Sequence, residues 1–285
     1  MIEDIRSTIL TALNEDISTG DITTEATIPV NVLGKGIFLV KDDGVIAGLD
    51  VAEQVFKIVN KDLVFLRSKK DGEIVKNGDI VAIVEGSAAS ILTAERTALN
   101  FMQRMSGIAT MAFHFKDKIK HTKAKIIDTR KTVPGLRLID KLAVRIGGCE
   151  NHRIGLYDMF LIKDNHIAVA GSITKAVKDC KDYRDSKSTN FLIEVETTNL
   201  LEVAEALRSG VDIIMLDNFE LGEMAKAVRL INGKCKVEAS GGINYYTVKD
   251  IAETGVDFIS VGALTHSVKS LDISLEVQLS RTHAR

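Results

Sequence analysis

VDIIMLDNFELGEMAKAVRLINGKCKVEASGGI, residues 211–243, reads as strand, helix and strand in turn. Apolar residues run through VDIIMLD without alternating, as expected of a strand covered on both faces. Met224, Ala225 and Val228 then recur at helical spacing, and KVEAS returns to strand before a glycine pair. A helix between two short strands implies parallel pairing, because antiparallel neighbours need no such crossover.

The same unit repeats outward in both directions. Short apolar runs AKIID, MFLIK, NFLIEVE, VDIIMLD, KVEAS and VDFISVG begin near residues 124, 159, 190, 211, 236 and 256. Between them lie helical patterns at Ile139, Leu142, Ala143 and Ile146 before Gly147 and Gly148, at Ile173, Ala176 and Val177, at Leu200, Val203, Ala204 and Leu207 before Gly210, and at Val248, Ile251 and Ala252 before Gly255. Strand–helix alternation with glycine at the helix ends predicts an α/β fold: an incomplete (β/α) barrel of six or seven strands, with a doubly wound open sheet as the alternative.

A barrel places its chemistry at the carboxyl ends of its strands. Those ends carry Asp128, Thr129 and Arg130; Lys163, Asp164 and Asn165; Glu194 and Glu196; Asp217 and Asn218; Ser240, Gly241 and Gly242; and Gly262. ASGGI and SVGALTHS free backbone N–H groups where such barrels hold a phosphate. Glu194, Glu196 and Asp217 lack the His or Cys partners of a zinc site, and their hard oxygens suit Mg²⁺ or sugar hydroxyls. Arg130, Lys131, Arg153 and Lys163 can clamp carboxylates or a pyrophosphate. The implied ligands are a phosphorylated sugar and a second, acidic molecule. A Schiff-base role for Lys163 at the end of FLIK is the rival chemistry. Walker loops, GxSxG elbows, HExxH and CxxC are absent.

The first hundred residues have a different texture. Ile2, Ile5, Ile9 and Leu13 predict a helix, and EDISTGDITTEATIP, polar and closed by proline, predicts a loop. Short β runs punctuated by DG, NG and EG follow, which together predict a small α+β domain. DGEIVKNGDIVAIVEG also has the turns of half a lipoyl carrier, although nothing isolates a modifiable Lys at a hairpin tip. In TAERTALNFMQRMSG, Thr93 can cap a helix whose apolar face is Ala98, Phe101, Met102, Met105 and Ile108, with Arg96 on the other side. Arg137, Lys141 and Arg145 recur every four residues and read as a polar helix face.

Bulk properties narrow the classes. The chain has 285 residues, 27% charged, with a net charge of −2, so neither a nucleic acid nor a membrane surface is an expected partner. Cys149, Cys180 and Cys235 match no zinc spacing and are an odd count for disulfides, pointing to reduced thiols in the cytoplasm. MIEDIRSTIL lacks the order of a signal peptide.

DTRKTVPGLR, the GGCENHRIGLYD segment ending in LIKDNH, the EVE strand end, MLDNF, EASGGI and VGALTHS, with TAERTALNF, GDITT and DGVIAG upstream, resemble the quinolinate phosphoribosyltransferase family. The resemblance implies an α/β sandwich over residues 1–108, to which 268–285 return, and an incomplete seven-stranded barrel over 109–267. It implies phosphoribosyl transfer from phosphoribosyl pyrophosphate to quinolinate with decarboxylation, giving nicotinate mononucleotide, pyrophosphate and carbon dioxide in NAD synthesis. By the family pattern Arg130, His152 and Arg153 meet the quinolinate carboxylates, joined by Arg96 from the partner subunit of a homodimer, with a hexamer as a further assembly. Thr129 belongs to the same substrate-binding set. Lys131 and Lys163 sit between the substrates. Glu194 and Asp217 hold the ribose hydroxyls and Mg²⁺, and Ser240, Gly241, Gly242, Gly262, Ala263 and His266 cradle the terminal phosphate. No organic cofactor is implied. A paralogue linked to molybdenum transport and a non-catalytic carboxylate or nucleotide sensor share the scaffold and are the alternatives.

Overall fold

The structure is a computed structural model that describes residues 2–279. The chain forms two compact units. One comprises residues up to 113, 133–148 and those from 267 onward; the other comprises 114–132 and 149–266.

The first unit begins with α1 (Ile2–Ile17) and α2 (Ile22–Thr27), followed by β1 (Leu33–Val40), β2 (Gly44–Val45), α3 (Leu49–Val59), β3 (Val64–Arg67), β4 (Ile74–Val75) and β5 (Ile80–Ser87). The long helix α4 (Ala88–Lys118) leaves it. In β1, buried and more exposed residues alternate, placing Phe38 and Val40 in the core. The rings of Phe38, Phe56 and Phe65 meet there with centroids 5.8–5.9 Å apart.

Two expectations fail here. The segment expected to be loop contains α2, because Asp21 caps it, accepting from the Thr24 N–H at 3.0 Å and the Thr24 hydroxyl at 2.6 Å. Thr93 is no cap, since α4 starts five residues earlier; its hydroxyl instead donates to Asp21 Oδ2 at 3.2 Å. The apolar face of α4 is as expected, with Ala98, Met102, Met105 and Ile108 fully buried.

The second unit carries β6 (Lys125–Ile127). The chain then makes an excursion through α5 (Arg137–Ile146), which packs in the first unit although its spacing suggested a barrel helix. Lys141 on α5 is buried, against the expected polar face, as is Asp140, whose carboxylate accepts two 2.8 Å bonds from the Arg104 guanidinium.

Back in the second unit come β7 (Phe160–Ile162), α6 (Asp164–Ala170), α7 (Ile173–Ser186), β8 (Ile193–Thr197), α8 (Leu200–Ser209), β9 (Ile213–Asp217), α9 (Leu221–Ile231), β10 (Lys236–Ser240), α10 (Val248–Glu253), β11 (Phe258–Ser260) and α11 (Ala263–His266). Finally β12 (Ile273–Leu279) joins the first unit's antiparallel sheet, ordered β12-β1-β5-β3. Residues 280–285, expected to return with it, lie outside the described residues.

All six strands of the sequence repeat form one parallel sheet, ordered β6-β11-β10-β9-β8-β7. The seventh strand of the expected barrel shrinks to a single parallel bridge, Ile127 to Glu150, on the outer side of β6. Among the described residues no helix is long and apolar enough to cross a membrane.

Candidate active site

Period-two alternation along the parallel strands arranges the site in two layers. At the carboxyl ends lie Lys163, Glu196, Asp217, Ser240 and Gly262. Two residues earlier on the same faces come Leu161, Glu194, Met215, Glu238 and Ser260. A cavity of about 850 Å³ opens over these ends. Of the residues expected in a site, Thr129, Arg130, Lys131, His152, Arg153, Lys163, Asp217, Ser240, Gly241, Gly242, Gly262, Ala263 and His266 line it.

Glu194 is the exception within this unit. It is fully buried in the deeper layer and does not line the cavity; Glu196, one layer nearer the rim, does. Both glutamates point to the same side of β8, so the sequence alone could not say which reaches the opening. Arg96 lies exposed on α4 of the first unit and is not among the lining residues. Leu161, Met215, Ile243 and Glu238 also line the cavity. Sequence reasoning missed them, and Ser260 with them, although counting back two residues from each polar strand end finds four of these five.

The cations divide into two groups. Arg130 and Arg153 each have a buried Nε without a hydrogen-bond partner, while Arg153 Nη1 donates to the Met159 carbonyl at 3.1 Å. Burial first, and then the Arg130 charge, lower the pKa of the Arg153 guanidinium. Two like charges with desolvated Nε groups beside an opening are costly alone and become favourable when an anion lies between them. Lys163 instead holds an anion already, its Nζ 2.6 Å from Glu196 Oε2, and its backbone N–H donates to His166 Nδ1 at 2.9 Å.

Across the cavity the backbone is shaped for close approach. Gly241 has φ +94°, and a Cβ there would stand 2.2 Å from Asn218 Oδ1. Asn218 is itself left-handed at φ +56°, with its N–H on the Ser240 carbonyl at 2.9 Å. The Thr265 hydroxyl donates to the Lys131 carbonyl at 2.9 Å, joining the glycine-rich turn after β11 to the cationic loop after β6.

At the floor of the cavity His152 and Glu238, which line it, converge with the buried Glu194, with potential ligand atoms within 4.8 Å of one another. His152 Nε2 stands 3.1 Å from Glu194 and 3.5 Å from Glu238. The set resembles a metal centre, yet the Arg153 N–H donates to His152 Nδ1 at 2.7 Å. That bond takes the Nδ1 lone pair and leaves the imidazole proton on Nε2, facing the carboxylates, where a metal would need a lone pair. A shared proton suits the glutamate pair better. Burial raises Glu194 to about 7, and burial together with the Glu194 charge pushes Glu238 well above the carboxylate range.

Comparison with known proteins agrees with this arrangement. The N-terminal domain of quinolinate phosphoribosyl transferase matches residues 21–106, and its C-terminal domain matches 108–276. A tobacco (Nicotiana tabacum) protein named quinolinate phosphoribosyltransferase [decarboxylating] 1b is 46% identical, covering 96% of this chain and 82% of its own. A Bacillus subtilis protein named probable nicotinate-nucleotide pyrophosphorylase [carboxylating] is 42% identical over 93% of this chain and 91% of its own. The crystal structure of NadC from Streptococcus pyogenes superposes with a TM-score of 0.93 at 40% identity, covering 98% of both chains. With both domain families matched in order over most of its length, the chain belongs to the quinolinate phosphoribosyltransferase family.

Proposed function

We propose that this protein transfers the phosphoribosyl group of phosphoribosyl pyrophosphate to the ring nitrogen of quinolinate, with loss of the 2-carboxylate, in NAD synthesis. The products are nicotinate mononucleotide, pyrophosphate and carbon dioxide. The observation that carries the reading is the pair Arg130 and Arg153, two guanidiniums with buried, unpartnered Nε groups beside one cavity. A pyridine dicarboxylate brings the two negative charges that this pair lacks. Leu161 and Met215 supply apolar surface for its ring.

On the opposite side, Gly241, Gly242, Gly262 and Ala263 offer backbone N–H groups, with Ser240 and His266, to the 5-phosphate. Lys131 and Lys163 face the diphosphate and the acid between the two halves. The ribose contact expected of Glu194 falls in this reading to Glu196, with Asp217, because these two carboxylates line the cavity. Asp217 is an oxygen donor without nitrogen or sulfur neighbours of the kind zinc prefers, and we assign Mg²⁺ to it together with substrate oxygens. When bound, that ion neutralises leaving-group charge.

The protein's part is electrostatic preorganisation. Lys131 and Lys163 stabilise the departing diphosphate while Glu196 and Asp217 favour positive charge growing at the anomeric carbon. Attack by the ring nitrogen makes a pyridinium. The electron pair of the breaking C2–carboxylate bond flows into that cation, carbon dioxide leaves, and a proton from solvent replaces it at C2. No organic cofactor is required by these steps. We further read Arg96 as a residue that completes the partner's site in a homodimer, and the three free cysteines as suited to the reducing cytoplasm.

The test is incubation of the purified protein with quinolinate, phosphoribosyl pyrophosphate and Mg²⁺, with nicotinate in parallel. Nicotinate mononucleotide from quinolinate alone is the expected outcome. A folded sample that makes none would favour the transport-linked paralogue or a sensor.

A further inference from the structure

Asn218 lines the cavity, yet the chemistry above gives it no part. It directly follows Asp217, the last residue of β9, and holds φ at +56°, a left-handed backbone uncommon outside glycine. Asparagine tolerates that conformation better than most side chains, and glycine adopts it more easily still. Backbone geometry alone would be met at least as well by glycine, as it is at Gly241 and Gly242 beyond the neighbouring strand. What glycine could not supply is the carboxamide.

That carboxamide reaches two parts of the site. Its Nδ2 donates to Asp217 Oδ2 at 2.8 Å. Its Oδ1 lies 2.2 Å from where a Cβ of residue 241 would stand, so it occupies the space that Gly241 leaves open. The Asn218 backbone is fixed as well, because its N–H donates to the Ser240 carbonyl at 2.9 Å and continues the β9–β10 ladder past its last pair, Asp217 with Ser240. The two carboxylates that line the sugar side are thus held differently. Glu196 is held by a cation, Lys163 Nζ at 2.6 Å, and Asp217 by a neutral donor, which leaves its negative charge uncancelled. Holding a flexible carboxylate in one rotamer before the ligand arrives removes ordering entropy from the binding step.

We propose that Asn218 is a positioning residue for the phosphoribosyl-donor half of the site: its carboxamide fixes the Asp217 carboxylate in one rotamer, with Oδ1 left for the sugar, and spaces that carboxylate from the phosphate turn at Gly241. Asn218 acts through these two neighbours. Glycine at 218 keeps the left-handed backbone and removes the amide. Aspartate keeps the shape but sets a second carboxylate against Asp217 in place of the donor. The proposal deepens the functional reading of the cavity and rests on it.

The experiment has two arms. The first compares crystal structures of the wild-type protein and Asn218→Gly without any substrate. Asp217 is expected in one rotamer in the wild type and in another, or in several, in the variant; the same single rotamer in both overturns the proposal whatever the enzyme's substrate proves to be. The second measures Tm, and KM for each substrate separately, in Asn218→Gly and Asn218→Asp. Asn218 is exposed, so both variants are expected to keep Tm within about 4 °C of wild type. Asn218→Gly is expected to raise KM for phosphoribosyl pyrophosphate by about five- to tenfold while leaving that for quinolinate within about twofold, and Asn218→Asp to raise the former further. An unchanged glycine variant would show that only the backbone conformation matters and overturns the proposal, as do equal changes in both constants, an aspartate variant less impaired than the glycine one, or a larger loss of Tm. If either variant does not fold, the other still decides. Failure of the functional reading itself would show separately, as a wild-type protein with Asp217 in one rotamer and no nicotinate mononucleotide formed.

Discussion

Removing the Lys163 amine separates catalysis from stability. Its Nζ lies 2.6 Å from Glu196 Oε2, but the lysine side chain is 45% exposed, and an ion pair that open to water contributes only about 0–1 kcal/mol to folding. For a protein of this size a loss of 1 kcal/mol lowers Tm by about 2–4 °C. Against the departing diphosphate the same amine has a larger effect. A unit charge about 4 Å from a phosphate charge, at an effective dielectric constant near 20, interacts by about 4 kcal/mol. Expressed only as leaving-group charge develops, that is roughly a thousandfold in turnover. The loss also leaves the Glu196 carboxylate facing the diphosphate without its counter-ion. Lys163→Ala should therefore keep its circular dichroism spectrum and nearly its Tm while kcat, followed by nicotinate mononucleotide formation, falls by about three orders of magnitude. Turnover within a few-fold of wild type would refute the electrostatic assignment, and so would a loss explained by unfolding.

Other consequences reach different parts of the fold. Asp140→Ala leaves the Arg104 guanidinium without its buried bidentate partner and should destabilise the protein by about 3–5 kcal/mol in denaturant titrations. Glu194 has its folded pKa raised to about 7, so its contribution to stability is complete below the ordinary carboxylate pKa of about 4.5 and is lost as pH rises toward and through 7. Glu194→Gln should flatten the decline in Tm between about pH 5 and 8, and an unchanged slope would show that Glu194 is not the group responsible. Gly241→Ala forces a Cβ into Asn218 at a left-handed φ, and should raise KM for phosphoribosyl pyrophosphate well before it affects that for quinolinate. Mixing inactive Arg96→Ala and Lys163→Ala chains should restore about a quarter of wild-type activity, because half of the randomly assorted dimers regain one complete site. No recovery after subunit exchange would place Arg96 outside the partner's site.

Much of the second unit was legible because continuous apolar strands and glycine-ended helices repeat at short intervals. All six apolar runs became strands, and their polar ends met at one cavity. What periodicity could not supply was depth. Glu194 and Glu196 share a face of β8, and only the depth along the strand at which the cavity opens decides which of them lines it. Nor could it assign α5, whose amphipathic spacing suits either unit; the excursion through 133–148 depends on contacts distant in sequence, such as Arg104 to Asp140. The misread loop before β1 has a local cause. Asp21 offers a cap strong enough to hold a six-residue helix in a polar stretch with little apolar patterning.

The most direct measurement of the central claim uses quinolinate labelled with ¹³C at the 2-carboxylate and follows labelled carbon dioxide and nicotinate mononucleotide together. If the pyridinium formed by phosphoribosyl transfer is the electron sink, the two products appear in equal amounts and neither forms when phosphoribosyl pyrophosphate is withheld. Labelled carbon dioxide released without the phosphoribosyl donor, or nucleotide formed with the label retained, would contradict the account.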